Sequence, residues 1–246
     1  MRAVTFDFWN TLIRADTGRT RERRLEAWLG LLGGEGIEVD DERVTAAMRH
    51  AGERFDAEWR QNRYYGAEAA VDDMLAHLGA KVAPGVRADL LASIADPEPD
   101  AAHLPKPTDH VADALEALRA RDVRIGIICD VGLAPSTTLR HYLERHELLS
   151  YFDHWSFSDD VGTFKPDPVI FEHALAGLGG VDPAEAAHIG DLRRTDVAGA
   201  RGIGMRAVRY RGVFDDPGRA DDGSDQVEGD AVIDDHADLL AALDLP

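Results

Sequence analysis

Near its start the chain reads Ala3-Val4-Thr5-Phe6-Asp7-Phe8-Trp9-Asn10-Thr11-Leu12. The first four of these residues form a short apolar run of β-favouring side chains, which predicts a buried strand. Asp7 follows this run at once, so a carboxylate is expected at the carboxyl end of the strand. The residues that follow the later strands are therefore the next candidates for functional side chains.

From about residue 105 onward, strand and helix patterns alternate along the chain. The later strands are predicted at 123–128, 152–157, 187–190, 205–210 and 231–233. Helices are predicted at 111–118, 139–143, 168–178, 196–201 and 237–243. Alternation of short apolar strands with helices predicts an α/β fold, with a doubly wound and mostly parallel sheet. In such sheets, ligands bind outside the carboxyl ends of the strands.

Residues from about 18 to 96 have only helical patterns. Leu25, Trp28, Leu29 and Leu32, for example, recur at the spacing of one helix face. A proline-rich stretch at 96–107 follows and predicts a linker, since proline blocks helix at the residue before it. The sequence thus predicts an α/β core formed by 1–14 and 105–246, with an inserted all-helical domain at 15–104.

Composition narrows the classes of partner. The chain of 246 residues has 27 basic and 46 acidic side chains, a formal net charge of −19. This excess of negative charge argues against binding to nucleic acid or to anionic membrane surfaces. No run is apolar and long enough to span a bilayer, and no secretory signal is recognised, so a cytoplasmic location is expected. The single cysteine, Cys129, excludes an intrachain disulfide and fits a reducing compartment. A homodimer is compatible with these properties.

Four strand or loop segments carry residues suited to chemistry. They are Asp7, the pair Cys129-Asp130, Lys165, and the segment from Asp191 to Asp196. Carboxylates and lysines are common on loops, and acids at a helix start often serve only as caps. Here, however, the segments are expected to share one edge of one sheet. Such a set could bind a divalent cation and an anionic substrate together.

In their order and form these segments resemble the four motifs of the haloacid-dehalogenase superfamily with a helical (C1-type) cap and a Rossmann-like core. The matching stretches are 6–12, 127–130, 162–168 and 189–200. The resemblance implies that Asp7 attacks the substrate to form a covalent aspartyl intermediate. It also implies that Lys165 holds this carboxylate and that the Thr11 hydroxyl helps to fix the loop. It further implies an Mg²⁺ ion bound by the Asp7 carboxylate, the Trp9 carbonyl, Asp191 and Asp196.

Two positions depart from the family pattern. Trp9 stands where phosphatase members have an acid that protonates the leaving group, a function worth roughly 10²–10⁴-fold in rate. Cys129 stands where the family has a hydroxyl, and a thiol is a weaker hydrogen-bond donor. Asp130 is either a replacement acid–base group or an ordinary loop acid. The expected substrate-pocket residues are Trp9, Asn10 and Gly132.

The sequence therefore favours a Mg²⁺-dependent phosphatase acting on a small phosphorylated metabolite, such as an acyl phosphate whose leaving group needs no proton. Two alternatives stay open. One is a metal-independent hydrolase like the 2-haloacid dehalogenases, in which an aromatic residue also follows the nucleophile by two positions. The other is a catalytically weak member that binds a ligand or a protein partner. Polar candidates for ligand contact in the inserted domain are Arg19, Arg23, Arg60, Arg63, Tyr64 and Tyr65.

Overall fold

A computed structural model describes residues 1–15, 18–95, 104–218 and 227–245. The chain divides into two compact units. The first, called here the α/β unit, comprises Met1–Ala15, Pro105–Asp130 and Leu143–Pro246. The second, called the helical unit, comprises Asp16–Leu104 and Val131–Tyr142. From the sequence pattern, 131–142 is expected in the core; in the structure it groups with the helical unit, where Leu133 packs against the hydrophobic cluster.

The α/β unit contains a six-stranded sheet in the order β3-β2-β1-β4-β5-β6, in which all neighbouring strands are parallel. The strands are β1 (Ala3–Phe6), β2 (Arg124–Cys129), β3 (His154–Phe157), β4 (Ala186–Gly190), β5 (Arg206–Tyr210) and β6 (Ala231–Ile233). Every residue of β1 and β4 is buried, as the near-continuous apolar runs predict. The predicted doubly wound parallel sheet is confirmed.

The helical unit contains four long helices, as the periodicity predicts. They are α1 (Gly18–Gly34), α2 (Asp41–Arg60), α3 (Ala67–Leu78) and α4 (Pro84–Ala95). Asp40 caps α2 by accepting a hydrogen bond from the Arg43 amide at 2.9 Å. Their shared core includes Trp28, Leu32, Val71 and Leu90. The linker predicted at 96–107 lies mostly outside the described residues. No described helix has the length and apolar character of a membrane span.

Shorter helices accompany the strands. They are α5 (Val111–Arg119), α6 (Ser136–Arg145), α7 (Ser158–Val161), α8 (Pro168–Gly177), α9 (Ala198–Gly202) and α10 (Leu239–Ala242). Asp167 caps α8, and proline occupies the first position of that helix, where its missing N–H costs nothing. The helix expected at 196–201 is split: a π-helical turn at Arg193–Val197 precedes α9. The π-helical turn, a rare backbone conformation, includes Asp196 of the fourth motif.

Candidate active site

The carboxyl ends of three adjacent strands bring the sequence-predicted residues of the α/β unit together. Phe6 of β1 lies opposite Ile127 of β2 and Ile189 of β4. Asp7 directly follows β1 and remains tied to the sheet, because its amide donates to the Ile189 carbonyl at 2.8 Å. Asp191 directly follows β4. Parallel pairing in this register places the two carboxylates at the same edge.

Lys165 lies in the loop between α7 and α8, and its side chain is almost fully buried. Its ammonium donates to Asp7 Oδ1 at 2.5 Å and to Asp196 Oδ1 at 2.6 Å. A third hydrogen bond reaches the Ile128 carbonyl at 3.1 Å. Burial disfavours the charged ammonium, but the carboxylates of Asp196 and Asp7 outweigh it and hold the pKa of Lys165 well above its usual value. Lys165 therefore stays cationic.

Asp196 has both carboxylate oxygens occupied by hydrogen-bond donors. Oδ1 accepts from Lys165 and lies 3.1 Å from His188 Nε2. Oδ2 accepts from the Leu192 amide at 2.9 Å and from Thr195 Oγ1 at 3.3 Å. Burial acts to raise the pKa of Asp196, but Lys165 and His188 outweigh it and lower the pKa below its ordinary range. This carboxylate is a charged anchor for Lys165.

Asp7 and Asp191 have the opposite electrostatic situation. Burial raises the pKa of Asp7 to about 7, with Lys165 opposing the rise and Asp196 adding to it. Burial, followed by the nearby Asp7 and Asp196, raises the pKa of Asp191 well above its usual value. Three buried carboxylates thus share a single ammonium group. The cluster lacks positive charge on the side of Asp191, which receives no hydrogen bond from any other described side chain.

This charge deficit fits a divalent cation. The described residues contain no ready-made group of three or more metal-binding side chains. Mg²⁺ needs less, because it commonly uses one or two protein carboxylates and completes its shell with water and phosphate oxygens. Asp7 and Asp191 are the carboxylates available for that purpose, whereas Asp196 is already occupied by its four donors.

Thr11 anchors the loop after β1 through its carbonyl. That oxygen accepts from Thr108 Oγ1 at 2.6 Å and from His236 Nε2 at 2.8 Å. The Thr11 hydroxyl, which was expected to fix the loop, is buried and has no described hydrogen-bond partner. The expectation is corrected accordingly: the backbone holds the loop. Sequence reasoning missed Thr108 and His236, which lie far from the motif in the chain and match no spacing rule.

His188 was also missed, although a signal was present. It is the one polar residue in the otherwise small and apolar strand β4 (Ala186–Gly190). The imidazole is buried, with Nδ1 2.9 Å from Thr5 Oγ1 and Nε2 facing Asp196. Burial lowers its pKa despite Asp196, so the ring is neutral near pH 7. A neutral ring can accept from Thr5 at Nδ1 and donate to Asp196 from Nε2.

Cys129 and Asp130 end β2 and have different surroundings. Cys129 is fully buried, and burial together with nearby Asp7 raises the pKa of its thiol, so the sulfur stays protonated. Asp130 Oδ1 accepts from the Lys165 amide at 2.9 Å. This bond positions the lysine loop, which favours the interpretation of Asp130 as a loop acid over that of a replacement acid–base group.

The substrate-pocket candidates lie in different units. Trp9 is half-buried and packs edge-on against Phe8, with ring centroids 5.0 Å apart. Asn10 adopts a left-handed conformation with φ 56°, and its side chain accepts from the Ala15 amide at 3.3 Å. Gly132 has a φ of 64° and belongs to the helical unit. Left-handed backbone at these positions favours asparagine and glycine.

Within the helical unit, several predicted ligand-contacting residues have partners in their own unit. Arg63 pairs with Glu58 at 2.5 Å, and the Tyr65 hydroxyl donates to Asp73 at 2.8 Å. Tyr64 is 45% exposed and Arg60 is exposed. The Arg19 side chain lies outside the described residues. Tyr64 and Tyr65 line one pocket of this unit together with residues of α3 and α4.

Comparisons with known proteins identify the family of the chain. The family model described as haloacid dehalogenase-like hydrolase matches residues 1–204. Haloacid dehalogenase-like hydrolase domain-containing protein 3 of Bos taurus is 36% identical over 98 residues, which are 40% of this chain and 37% of that protein. Glyceraldehyde 3-phosphate phosphatase of Methanopyrus kandleri is 28% identical over 211 residues, which are 86% of this chain and 84% of that protein.

A solved structure of 2-haloacid dehalogenase from Pseudomonas syringae matches with a TM-score of 0.66 and 26% identity, covering 99% of this chain and 98% of that one. By contrast, the match to the Bos taurus relative spans less than two fifths of that protein's length. The matched segment of the family model contains Asp7, Lys165, Asp191 and Asp196, which meet in the buried cluster. The chain belongs to the haloacid dehalogenase-like hydrolases.

Proposed function

We propose that this hydrolase is a Mg²⁺-dependent phosphatase that acts on a small phosphorylated metabolite through Asp7. The observation that carries the proposal is the buried cluster in which Asp7, Asp191 and Asp196 share only the ammonium of Lys165. A metal-free reaction at a neutral carbon atom needs one nucleophilic carboxylate and gives no reason for a second one, such as Asp191, without a cationic partner. A site that binds both a divalent cation and a phosphoryl group needs this second carboxylate as a ligand for the cation.

The proposed reaction runs through the carboxylate of Asp7. An Asp7 oxygen forms a bond to phosphorus while the bond from phosphorus to the leaving oxygen breaks. Water then attacks the aspartyl phosphate, which releases inorganic phosphate and restores Asp7. Lys165 orients the nucleophile through its 2.5 Å contact and supplies a fixed positive charge. Mg²⁺ held by Asp7, the Trp9 carbonyl and Asp191 would neutralise the charge between the nucleophile and the phosphoryl oxygens.

Asp196 receives a revised function in this proposal. The sequence resemblance implies a metal ligand, but its oxygens are bonded to Lys165, His188, Leu192 and Thr195. We assign it the positioning of Lys165. Asp191 then becomes the principal metal ligand beside the nucleophile, because its carboxylate is buried and short of a positive partner.

The leaving group defines the substrate class. Indole at Trp9 cannot donate a proton to a departing oxygen, and Asp130 is engaged with the Lys165 amide. A leaving group that departs as an anion needs no such acid, and a carboxylate leaving from an acyl phosphate meets this requirement. The resemblance to glyceraldehyde 3-phosphate phosphatase of Methanopyrus kandleri supports a small phosphorylated substrate.

Phosphate release tests the proposal with two substrates of different leaving group, acetyl phosphate and p-nitrophenyl phosphate. We expect Mg²⁺-dependent release, faster from acetyl phosphate, with loss of activity by at least about 10³-fold in Asp7→Asn, as for other groups that act as nucleophiles. Asp89→Asn, at an exposed acid of α4, serves as the matched control. Absence of release from both substrates, or full activity in Asp7→Asn, would overturn the proposal.

A metal-independent 2-haloacid dehalogenase is the second candidate, favoured by Trp9 and by the resemblance to the Pseudomonas syringae enzyme. Halide leaves without a proton, so the missing acid would not matter. Chloride release from 2-chloropropionate in the presence of a chelator would establish it. A ligand-binding member without turnover is distinguished by thermal stabilisation with a phosphorylated compound and by the lack of a beryllofluoride adduct on Asp7.

A further inference from the structure

The helical unit contains a cavity of about 450 Å³ whose lining is unlike that of a packing defect. All its lining residues belong to this one unit. Cavities left by imperfect packing are typically apolar and dry. This cavity instead combines an apolar floor with guanidinium groups. Its size is within the usual range for sites that hold a small organic molecule.

The floor of the cavity is apolar. It includes Met48 of α2, Met74 of α3 and Ile94 of α4. Trp28 of α1 adds an indole that is fully buried, and its Nε1–H has no described hydrogen-bond acceptor. Methionine and aromatic walls suit a flat or flexible apolar body.

Cations on two helices border the same cavity. Arg21 and Arg24 come from α1, and Arg49 comes from α2. Arg21 and Arg49 are exposed, and neither forms an ion pair with a described residue. Two acids, Glu53 and Asp56, also line the cavity, so arginines outnumber acids by three to two.

The lining of the cavity therefore has more cationic than acidic side chains, whereas the chain as a whole has 46 acidic and 27 basic residues. Guanidinium groups bind carboxylate, sulfonate and phosphate groups through paired N–H donors. We propose that the cavity binds a small organic anion, with its anionic group at Arg21 and Arg49 and its apolar body on Met48, Met74, Ile94 and Trp28. The proposal does not depend on the reaction at Asp7.

Gly52 offers a way to close the cavity without disturbing the fold. It lines the cavity within α2, and a Cβ added there would have no atom within 4 Å. A leucine at this position is compatible with helix and would extend into the cavity. An alanine would add only a methyl group and leave most of the volume.

Isothermal titration calorimetry with 1-naphthalenesulfonate tests the proposal, with neutral 1-naphthalenemethanol as the matched probe. We expect the sulfonate to bind more tightly than the alcohol. Gly52→Leu should abolish sulfonate binding, and the double variant Arg21→Ala/Arg49→Ala should weaken it at least about tenfold, the effect of losing charge-assisted contacts. Gly52→Ala and Arg54→Ala, the latter at an exposed arginine of α2 outside the lining, should bind as the unaltered protein does.

Equal affinity for the two probes, no sulfonate binding at all, or unchanged binding in the folded arginine double variant would overturn the proposal. The arginine variant keeps the test decisive even if Gly52→Leu fails to fold, because both arginines are exposed. The effect of 1-naphthalenesulfonate on acetyl phosphate hydrolysis then shows whether the anion that occupies the cavity is the substrate or a separate ligand. Competitive inhibition assigns the cavity to the substrate, and any other pattern assigns it to a separate ligand. Calorimetry needs no turnover, so its outcome is independent of the proposed phosphatase activity.

Discussion

At the level of single residues, two of the three carboxyl groups around Lys165 lower the stability of the fold and are suited to bind a cation. Asp196 is paired and has a lowered pKa, whereas Asp7 and Asp191 have raised values. A carboxyl whose folded pKa lies above its unfolded value opposes folding wherever the pH favours its charged form. Such strain is retained where a ligand relieves it. The raised pKa values of Asp7 and Asp191 therefore support the proposed cation site beside these two carboxyl groups.

Asp191→Asn should separate stability from activity. In a chelator-containing buffer at pH 7.5, we expect a higher free energy of unfolding than in the original protein, since the amide replaces a buried carboxyl group whose charged form is disfavoured in the folded state. In Mg²⁺, kcat/KM should fall by about 10²-fold or more, because a bound metal supplies several kcal/mol of transition-state stabilisation. Urea unfolding and phosphate release measure the two effects. A less stable variant with unchanged activity would contradict the prediction.

His236 should make stability depend on pH. Burial lowers its pKa from 6.5 to about 4, opposed by its hydrogen bond to Thr11 and by nearby Asp235. The unfolded chain therefore binds this proton first as the pH falls, so stability is present above pH 6.5 and is lost between 6.5 and 4. The loss amounts to about 3 kcal/mol from this group at 1.36 kcal/mol per pH unit.

Urea unfolding at several pH values measures this loss, with His236→Gln as the comparison. Glutamine can keep a donor for the Thr11 carbonyl but cannot titrate. Its free energy of unfolding should decline less steeply than that of the original protein between pH 6.5 and 4. Parallel pH profiles for the two proteins would show that His236 does not contribute.

At the level of elements, the tight path from β4 into the π-helical turn determines where Asp196 lies. A Cβ on Gly190 would overlap the Asp196 carboxylate, which must then move away from Lys165. We expect Gly190→Ala to lower kcat/KM by about 10²-fold, the cost of small misplacements in an active site. Phosphate release is the measurement. Gly202→Ala, in α9 with open space around its Cβ, should have normal activity. Equal activity in both variants would contradict the argument.

The elements were predicted best where a local pattern had a single physical meaning. Apolar runs such as Ala3–Phe6 gave strands, and the spacing of Trp28 and Leu32 gave a helix. The same rules place Asp7 and Lys165 at one edge of the sheet. They could not predict the contacts of Thr11, because Thr108 and His236 are 97 and 225 residues away in the chain. Nor could they predict the π-helical turn, whose hydrogen bonds no spacing of side chains specifies.

At the level of the whole molecule, the acidic excess acts on stability and on substrate approach alike. The formal net charge of −19 creates repulsion between side chains that are brought together by folding. The same field would disfavour the approach of the proposed phosphorylated substrate, so the positive charge of Lys165 and of the proposed Mg²⁺ would have to act locally. Salt reduces the long-range repulsion, since the screening length falls from about 30 Å at 0.01 M to about 10 Å at 0.1 M.

We therefore expect the melting temperature at pH 7.5, in a chelator, to rise by several degrees between 10 mM and 300 mM sodium chloride, since about 1 kcal/mol shifts the midpoint of a chain this long by about 2–4 °C. Circular dichroism follows the transition. The same salt series at pH 5, close to the pI of 4.8, supplies the control, because the net charge is then near zero and the rise should largely vanish. A rise of equal size at both pH values would mean that salt acts through hydration of apolar surface rather than through charge screening.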